Sequence, residues 1–193
     1  IPKPFDPRLI TEIPPAVAKA AMDSGVAMEP IEDWDKYIEI LDERLGSNQK
    51  LIRIIHRRAR KGKNKKLVFA EADHLDVLKA AQICFEEGIA EPILLGGKKI
   101  IQELMESLEF NEEVEIIDPK DKSNKDRIEQ YSKILFKKFK RKGKTIDDVK
   151  RLLRGRDYFG AMMVENGDAD SRLSGYSKSY PSVFVPLIRS IGK

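Results

Sequence analysis

Cysteine is almost absent: Cys84 stands alone among 193 residues. That excludes an internal disulfide and every zinc site built on paired cysteines. Histidine is nearly as scarce, with His56 and His74 only. No apolar run approaches the roughly 18 residues needed to cross a bilayer, and no leader is read before the first charges. Neither a Gly-rich dinucleotide fingerprint nor a P-loop occurs, so a nucleotide-driven hydrolase has no support. Charge of one sign is lacking too: 36 Lys plus Arg stand against 32 Asp plus Glu, a net charge of +4. So even a balance does not by itself point to nucleic acid. What is present suffices for a core, because 41% of residues are hydrophobic. The expectation is a cytoplasmic protein with no membrane segment.

Six of the ten prolines fall in residues 1–30. Between them, Ala16 to Met22 reads as a short helix opened by Pro14 and Pro15 and closed before Gly25. Residues 31–60 read as a helical hairpin. Its first arm carries Trp34, Tyr37, Ile38, Leu41 and Leu45 at helical spacing; its second carries Leu51, Ile52 and Ile55. The chain opens on Ile1 and stops on Lys193 directly after an amphipathic stretch, so it reads as a piece of a longer polypeptide.

From residue 65 the periods alternate. Leu67–Ala70, Pro92–Leu95, Val114–Ile117 and Ser171–Ser174 read as strands, the first three as short buried runs. Helical stripes lie between them: Val77, Leu78, Ala81, Cys84 and Phe85; then Ile100, Ile101, Leu104, Met105 and Leu108; then Ile128, Tyr131, Leu135 and Phe139. Thr145 and Asp148 have the spacing of a capping box. Tyr158–Val164 and Tyr180–Ile191 complete the helices, with Pro181 in a first turn. The order predicts an α/β fold: a parallel sheet flanked by helices in three layers, preceded by the N-terminal helical hairpin.

Ligands in such sheets bind beyond the carboxyl ends of the strands. The loop from Leu173 to Tyr180 is the most informative segment there. Ser174 and Ser177 offer hydroxyls, Gly175 lets the backbone come close, Lys178 brings a cation, and the following helix starts at Tyr180. That set suits a phosphate or pyrophosphate; an ordinary Ser-rich N-cap turn is the plainer account. Glu71 and His74 are secondary candidates as acid–base or ligand-orienting groups, against helix capping by Asp73 with His74 exposed. His56, among arginines, reads as structural. Asp168 and Asp170 are too few for a metal, and turn chemistry explains them; no metal ligand is assigned. Cys84 reads as a small buried hydrophobe. The basic tracts Arg53 to Lys66 and Lys137 to Lys144 read as solvated faces or an interface to an acidic neighbour. A nucleic-acid-binding module is the rival there.

Several motifs carry a resemblance. IPKPFDPRLI and IPPAVAKAAMDSGVA in residues 1–30 resemble the C-terminal end of the coenzyme-binding domain of bacterial malic enzymes. LVFAEADHLDVLKAA (67–81), EPILLG (91–96), YFGAMMVENGDAD (158–170) and LSGYSKSYPSVFVPLI (173–188) resemble the first half of phosphate acetyltransferases. Their join is similar to the hybrid malic enzymes, in which a malic enzyme is fused to an acetyltransferase-like domain. The resemblance implies a division into residues 1–30, a helical connector at 31–64, and the first half of the acetyltransferase-like domain at 65–193. It implies a parent enzyme that decarboxylates malate oxidatively to pyruvate and CO2, using NADP or NAD and Mg or Mn bound outside this chain. It further implies that this region binds acetyl-CoA as an effector at Ser174, Gly175, Ser177, Lys178 and Tyr180, supports a homo-oligomer, and works with the remainder of the same polypeptide. No catalytic residue is assigned here. Where acetyltransferases commonly read Ser-Gly-Ala-Thr, this chain reads Ser-Gly-Tyr-Ser, and the bulky Tyr176 weighs against turnover of acetyl phosphate.

Overall fold

The computed structural model of the chain describes residues 9–44, 54–56, 58, 59, 62, 65–139 and 143–192. The chain divides into two compact units, Ile1–Arg58 and Ala59–Lys193.

In the first unit, α1 (Leu9–Asp23) packs on α2 (Trp34–Glu43). Here the structure corrects the expected start of the first helix. Pro14 and Pro15 lie inside α1 rather than at its opening. Their missing N–H groups fall early enough that only second-turn hydrogen bonds are lost. Asp33 begins α2 by accepting from the Lys36 amide at 3.0 Å. No residue of α1 is buried, and Leu41 supplies the one buried apolar side chain among the described residues of this unit. So small a burial gives the unit no core of its own. Residues 54–56 and 58–59 are helical, but most of the hairpin's expected second arm, with Leu45 and Gly46, lies outside the described residues.

The second unit is the three-layer fold. Strands β1 (Lys66–Phe69), β2 (Glu91–Leu95), β3 (Glu115–Ile117) and β4 (Ser171–Leu173) form one sheet in the order β3-β2-β1-β4, and every pairing is parallel. The connections carry α3 (Leu75–Glu86), α4 (Lys98–Ser107), α5 (Lys125–Phe139), α6 (Ile146–Leu153) and α7 (Arg156–Asn166); α8 (Tyr180–Ser190) follows β4. Alternation along the strands divides the core in two. Val68, Ile93, Leu95 and Ile117 face Tyr131, Leu135 and Phe139 of α5, Val149 and Leu153 of α6, and Phe159, Met162 and Met163 of α7. Phe69 and Leu94 face Leu78, Ala81 and Cys84 of α3 and Ile101 of α4. Each such large side chain contributes about 1.5–3 kcal/mol when fully buried. The capping box is present: Thr145 and Asp148 exchange hydrogen bonds of 3.0 and 3.2 Å at the start of α6.

Two details place the site. Gly160 sits mid-helix in α7, where an added Cβ would stand 3.1 Å from Arg172 Cδ and 3.2 Å from Leu95 Cδ1. A bare backbone there lets α7 lie close over the sheet. The strand order also reverses at β1. The chain steps outward from β1 through β2 to β3, then returns to lay β4 on the other side of β1. Such a reversal opens a crevice at the carboxyl ends of the two diverging strands.

Candidate functional site

The crevice lies between the loop after β1, which runs through Glu71 to His74, and the loop after β4, Ser174 to Ser179. Glu71 follows directly on the sheet, where the Ala70 amide still donates to Leu173 O at 3.0 Å. That continuation carries the Glu71 side chain inside, and the residue is 2% exposed. A carboxylate so placed needs hydrogen-bond donors. The second loop supplies them: Tyr176 N and Ser177 N donate to Glu71 Oε2 at 2.7 and 3.2 Å, and Ser177 Oγ lies 3.5 Å from Oε1. Gly175, at φ +107°, makes the turn that aims both amides inward.

Asp157, in the first turn of α7, holds the same loop from behind. It accepts from Arg172 Nη2 at 2.6 Å, from Lys178 Nζ at 2.5 Å and from Ser174 Oγ at 3.3 Å. The Arg172 side chain is 3% exposed. Burial pulls its guanidinium below the ordinary value, against the attraction of Asp157 and Glu71. At the other end of the crevice, Arg156 Nη1 and Nη2 donate to the two oxygens of Asp73 at 2.5 and 2.7 Å. This two-pronged bond holds the Asp73 carboxyl below the usual carboxylate range, overcoming the opposing effect of burial.

Tyr176 forms one wall. Its hydroxyl donates to Asp76 Oδ2 at 2.5 Å, and its ring lies 5.4 Å from that of His74. The Asp76 carboxylate raises the phenol above its ordinary value. Val77 and Ala80 of α3 and Leu173 of β4 make the apolar surfaces of the cleft, which encloses about 360 Å³.

The structure thus brings together Glu71, His74, Ser174, Gly175, Ser177 and Lys178. It does not bring in Tyr180, which is 70% exposed on α8 and stacked on Phe184 at 4.8 Å. Helix capping by Asp73 is corrected: the N-cap of α3 is His74, without a side-chain cap, because Asp73 is drawn to Arg156. His74 is half-buried rather than exposed, covered by Tyr176. Asp168 accepts from Tyr131 Oη, and Asp170 from Lys66 N at 2.8 Å and Lys65 Nζ at 2.7 Å. These contacts hold the start of β4 to α5 and β1. Among the described residues no group of three His, Cys, Asp or Glu could hold a metal. Cys84 is buried, and burial raises its thiol. Parts of both basic tracts lie outside the described residues; Lys138, inside one of them, binds Glu165 at 2.6 Å. No described helix is long and apolar enough to cross a membrane.

Sequence reading passed over Asp157, Arg172, Arg156 and Asp76. A signal was there for two of them. Asp157 directly precedes the apolar run Tyr158 to Val164, and Arg172 sits inside a strand; charges in such places are kept by partners.

Comparison with known proteins bears on this arrangement. Residues 50–193 match the family model described as phosphate acetyl/butaryl transferase. The chain is 38% identical over 189 residues to the NADP-dependent malic enzyme of Salmonella typhimurium, covering 95% of this chain and 24% of that protein. It is 36% identical over 131 residues to a phosphate acetyltransferase of Thermoanaerobacterium thermosaccharolyticum, covering 68% of this chain and 39% of that one. A crystal structure of a phosphotransacetylase from Streptococcus pyogenes superposes with a TM-score of 0.65 at 31% identity, over 75% of this chain and 43% of that one. The chain therefore spans about a quarter of the length of the malic enzyme it matches.

Proposed function

We propose that this chain, which belongs to the phosphate acetyl/butaryl transferase family, is the acetyltransferase-like portion of a malic enzyme and binds acetyl-CoA there as an effector. The observation that carries this reading is the cleft at the strand-order reversal, walled by the loop after β4. The cleft lies within the part of the chain that the family model matches, and the match to a malic enzyme runs through nearly the whole chain. Ser174 and Gly175 line the cleft with Glu71; Ser177 holds Glu71 and His74 backs Tyr176, Lys178 braces the loop through Asp157, and Tyr180 stands at the start of the helix beyond.

The whole protein would oxidise and decarboxylate malate to pyruvate and CO2 with NADP or NAD and Mg or Mn. The residues described here do not suit those groups: no dinucleotide fingerprint occurs, and Asp168 and Asp170 are engaged elsewhere. No step of malate oxidation is therefore routed through them. Their role is coupling. An effector acts only as far as it binds one state of the enzyme better than another, and a crevice between two loops can differ between such states. Tyr180, Phe184 and Ile188 expose an apolar stripe along α8, which supports a second role in assembling the oligomer with the rest of the polypeptide.

The test is to follow malate oxidation by the full-length enzyme while titrating acetyl-CoA. A rate that falls or rises with ligand, and a weaker response in Ser174→Ala, is expected. An unchanged rate in both proteins at saturating ligand overturns the reading. A second reading, acetyl transfer between acetyl phosphate and CoA, is favoured by the family match. That reaction needs a base for the thiol and cations for the phosphate, yet Lys178 is engaged by Asp157. CoA consumption that depends on acetyl phosphate and is lost in Ser177→Ala would establish it.

A further inference from the structure

We infer that the exposed side of α1, formed by Ile13, Ala16, Val17 and Ala20, is a docking surface for the malate-oxidising portion of the same polypeptide, so that α1 is the middle layer between that portion and α2. This rests on the reading that the chain is part of a malic enzyme, and not on what the cleft binds.

The first observation is the pattern of α1 itself. A helix at the surface of a protein is apolar on one side and polar on the other. α1 is apolar on two sides. Pro14, Ala18, Ala21 and Met22 are half-buried, and α1 packs on α2. Ile13, Ala16, Val17 and Ala20 have the i, i+3, i+4, i+7 spacing of a second side. All four are exposed, Ile13 at 52% and Val17 at 63%. Glu12, Lys19 and Asp23 are the only charged residues among the 15 of this helix, and their spacing confines them to one strip. By contrast, α2 exposes Asp35, Lys36, Glu39 and Glu43. Ala16 and Ala20 leave a shallow surface between the two larger side chains, against which another element can lie closely.

The second is the lack of a core. Leu41 is the one buried apolar side chain among the described residues of this unit. A helix of this length is marginal in water by itself, and one buried leucine does not offset the ordering of two helices. The pair therefore needs further cover, and the open stripe of α1 is where apolar cover fits.

The third identifies the cover. The acetyl/butaryl transferase family model begins at residue 50, beyond both α1 and α2. The match to the Salmonella typhimurium malic enzyme covers 95% of this chain, so it takes in most of residues 1–49 as well. The helical pair thus goes with the malic enzymes and stands outside the transferase model. Only 24% of that malic enzyme is matched, so most of such a polypeptide remains to supply the facing surface.

The experiment compares the full-length enzyme with the 193-residue chain, both without acetyl-CoA. Backbone amide hydrogen exchange in residues 9–23 is expected to be about tenfold slower or more in the full-length enzyme. Equal exchange overturns the inference. A second measurement follows alkylation of Val17→Cys and Glu39→Cys by iodoacetamide, read peptide by peptide by mass spectrometry. The thiol at position 17 is expected to react about tenfold more slowly in the full-length enzyme, and that at position 39 equally in both proteins. Equal rates at position 17 overturn the inference. So does protection of that thiol in the 193-residue chain, which means a second copy if it grows with concentration and cover within this chain if it does not. Protection at position 39 as strong as at position 17 overturns it too, because the pair would then be buried as a whole. The effector reading is separable. Malate oxidation indifferent to acetyl-CoA leaves this inference standing; an unprotected α1 in an enzyme that responds to acetyl-CoA overturns it and leaves the effector reading intact. A full-length protein that oxidises no malate removes the premise of both.

Discussion

The Tyr176 amide donates to Glu71 Oε2 at 2.7 Å across 105 residues of chain. β1 and β4 pair side by side in the sheet, but the loops leaving them diverge at the reversal of strand order. Glu71 rejoins those loops just beyond the sheet. A buried acid serves here as the acceptor that fixes a loop, and the loop in turn supplies the donors without which that acid could not be buried.

Replacing Glu71 tests this mutual dependence. Glu71→Ala leaves the Tyr176 and Ser177 amides without their acceptor and is expected to cost about 1–3 kcal/mol. Glu71→Gln keeps an acceptor oxygen of the same reach and is expected to cost less. Urea midpoints of the two variants against wild type measure the difference; equal loss in both would show that charge, not acceptance, is what matters.

Much of this architecture was legible beforehand, for a definable reason. The runs at Leu67–Ala70 and Pro92–Leu95, and the stripes through Leu78, Ala81 and Cys84 or Tyr131, Leu135 and Phe139, are periodic; period reports which side of an element is buried. The Thr145–Asp148 box is equally local. The charged residues of the site are another matter. Asp73 four residues past β1 looks like a helix cap, and only the fold brings Arg156 to it from 83 residues away. The anion-binding character of the 174–178 loop could be read from its composition. That Glu71 already fills its amides could not, because the pairing depends on the return of β4 beside β1. Pro14 and Pro15 misled for the opposite reason: a local rule about helix starts gave way to a helix long enough to contain them.

Gly160 offers a packing test. Replacing Gly with Ala inside a helix gains about 1 kcal/mol of propensity. Here the new methyl would stand 3.1 Å from Arg172 Cδ, 3.2 Å from Leu95 Cδ1 and 3.4 Å from Val68 Cγ1. Overpacking of that kind costs about 1–3 kcal/mol, so Gly160→Ala is expected to be net destabilising, and Gly160→Val more so. Each kcal/mol should lower the melting temperature by about 2–4 °C in a chain of this size. A melting temperature raised by Gly160→Ala would show that α7 does not press on the sheet as described.

Asp73 governs part of the acid limb of stability. Its folded carboxyl is held below the ordinary value near 3.8, first by the hydrogen bonds from Arg156. A depressed carboxylate contributes stability that is fully present above the unfolded value and is lost as pH falls through the folded one. Wild type should therefore exceed Asp73→Asn in stability by a constant margin at neutral pH. The margin should shrink as pH drops below about 4. Denaturant titrations across that range test it; a margin independent of pH would remove the Arg156 pair as its cause. Arg156→Lys keeps the charge but loses the two-pronged geometry, and should lie between the two.

The alkaline limb belongs in part to Tyr131. The residue is fully buried, its hydroxyl donates to Asp168, and its ring packs edge-on against Phe159 at 5.3 Å. Burial, and then the Asp168 carboxylate, push the phenol far above its ordinary value of 10.0; Glu115 adds to the shift and Arg127 opposes it. The sign is the reverse of that for Asp73. A raised folded value means the unfolded chain loses its proton first, so the contribution is whole below 10.0 and declines as pH rises beyond it. Tyr131→Phe keeps the ring and removes the titration. At neutral pH it is expected to cost about 1.5–3 kcal/mol, the usual range for a hydrogen bond to a charged group. Asp168 then keeps the Asn166 side-chain amide at 3.0 Å as a donor, which favours the lower end. Above pH 10 the variant should lose stability less steeply than wild type, so the two curves converge. Urea unfolding on both sides of that pH measures the convergence; parallel curves would mean that Tyr131 ionises in the folded chain as freely as in the unfolded one, and that its link to Asp168 does not hold the entry to β4.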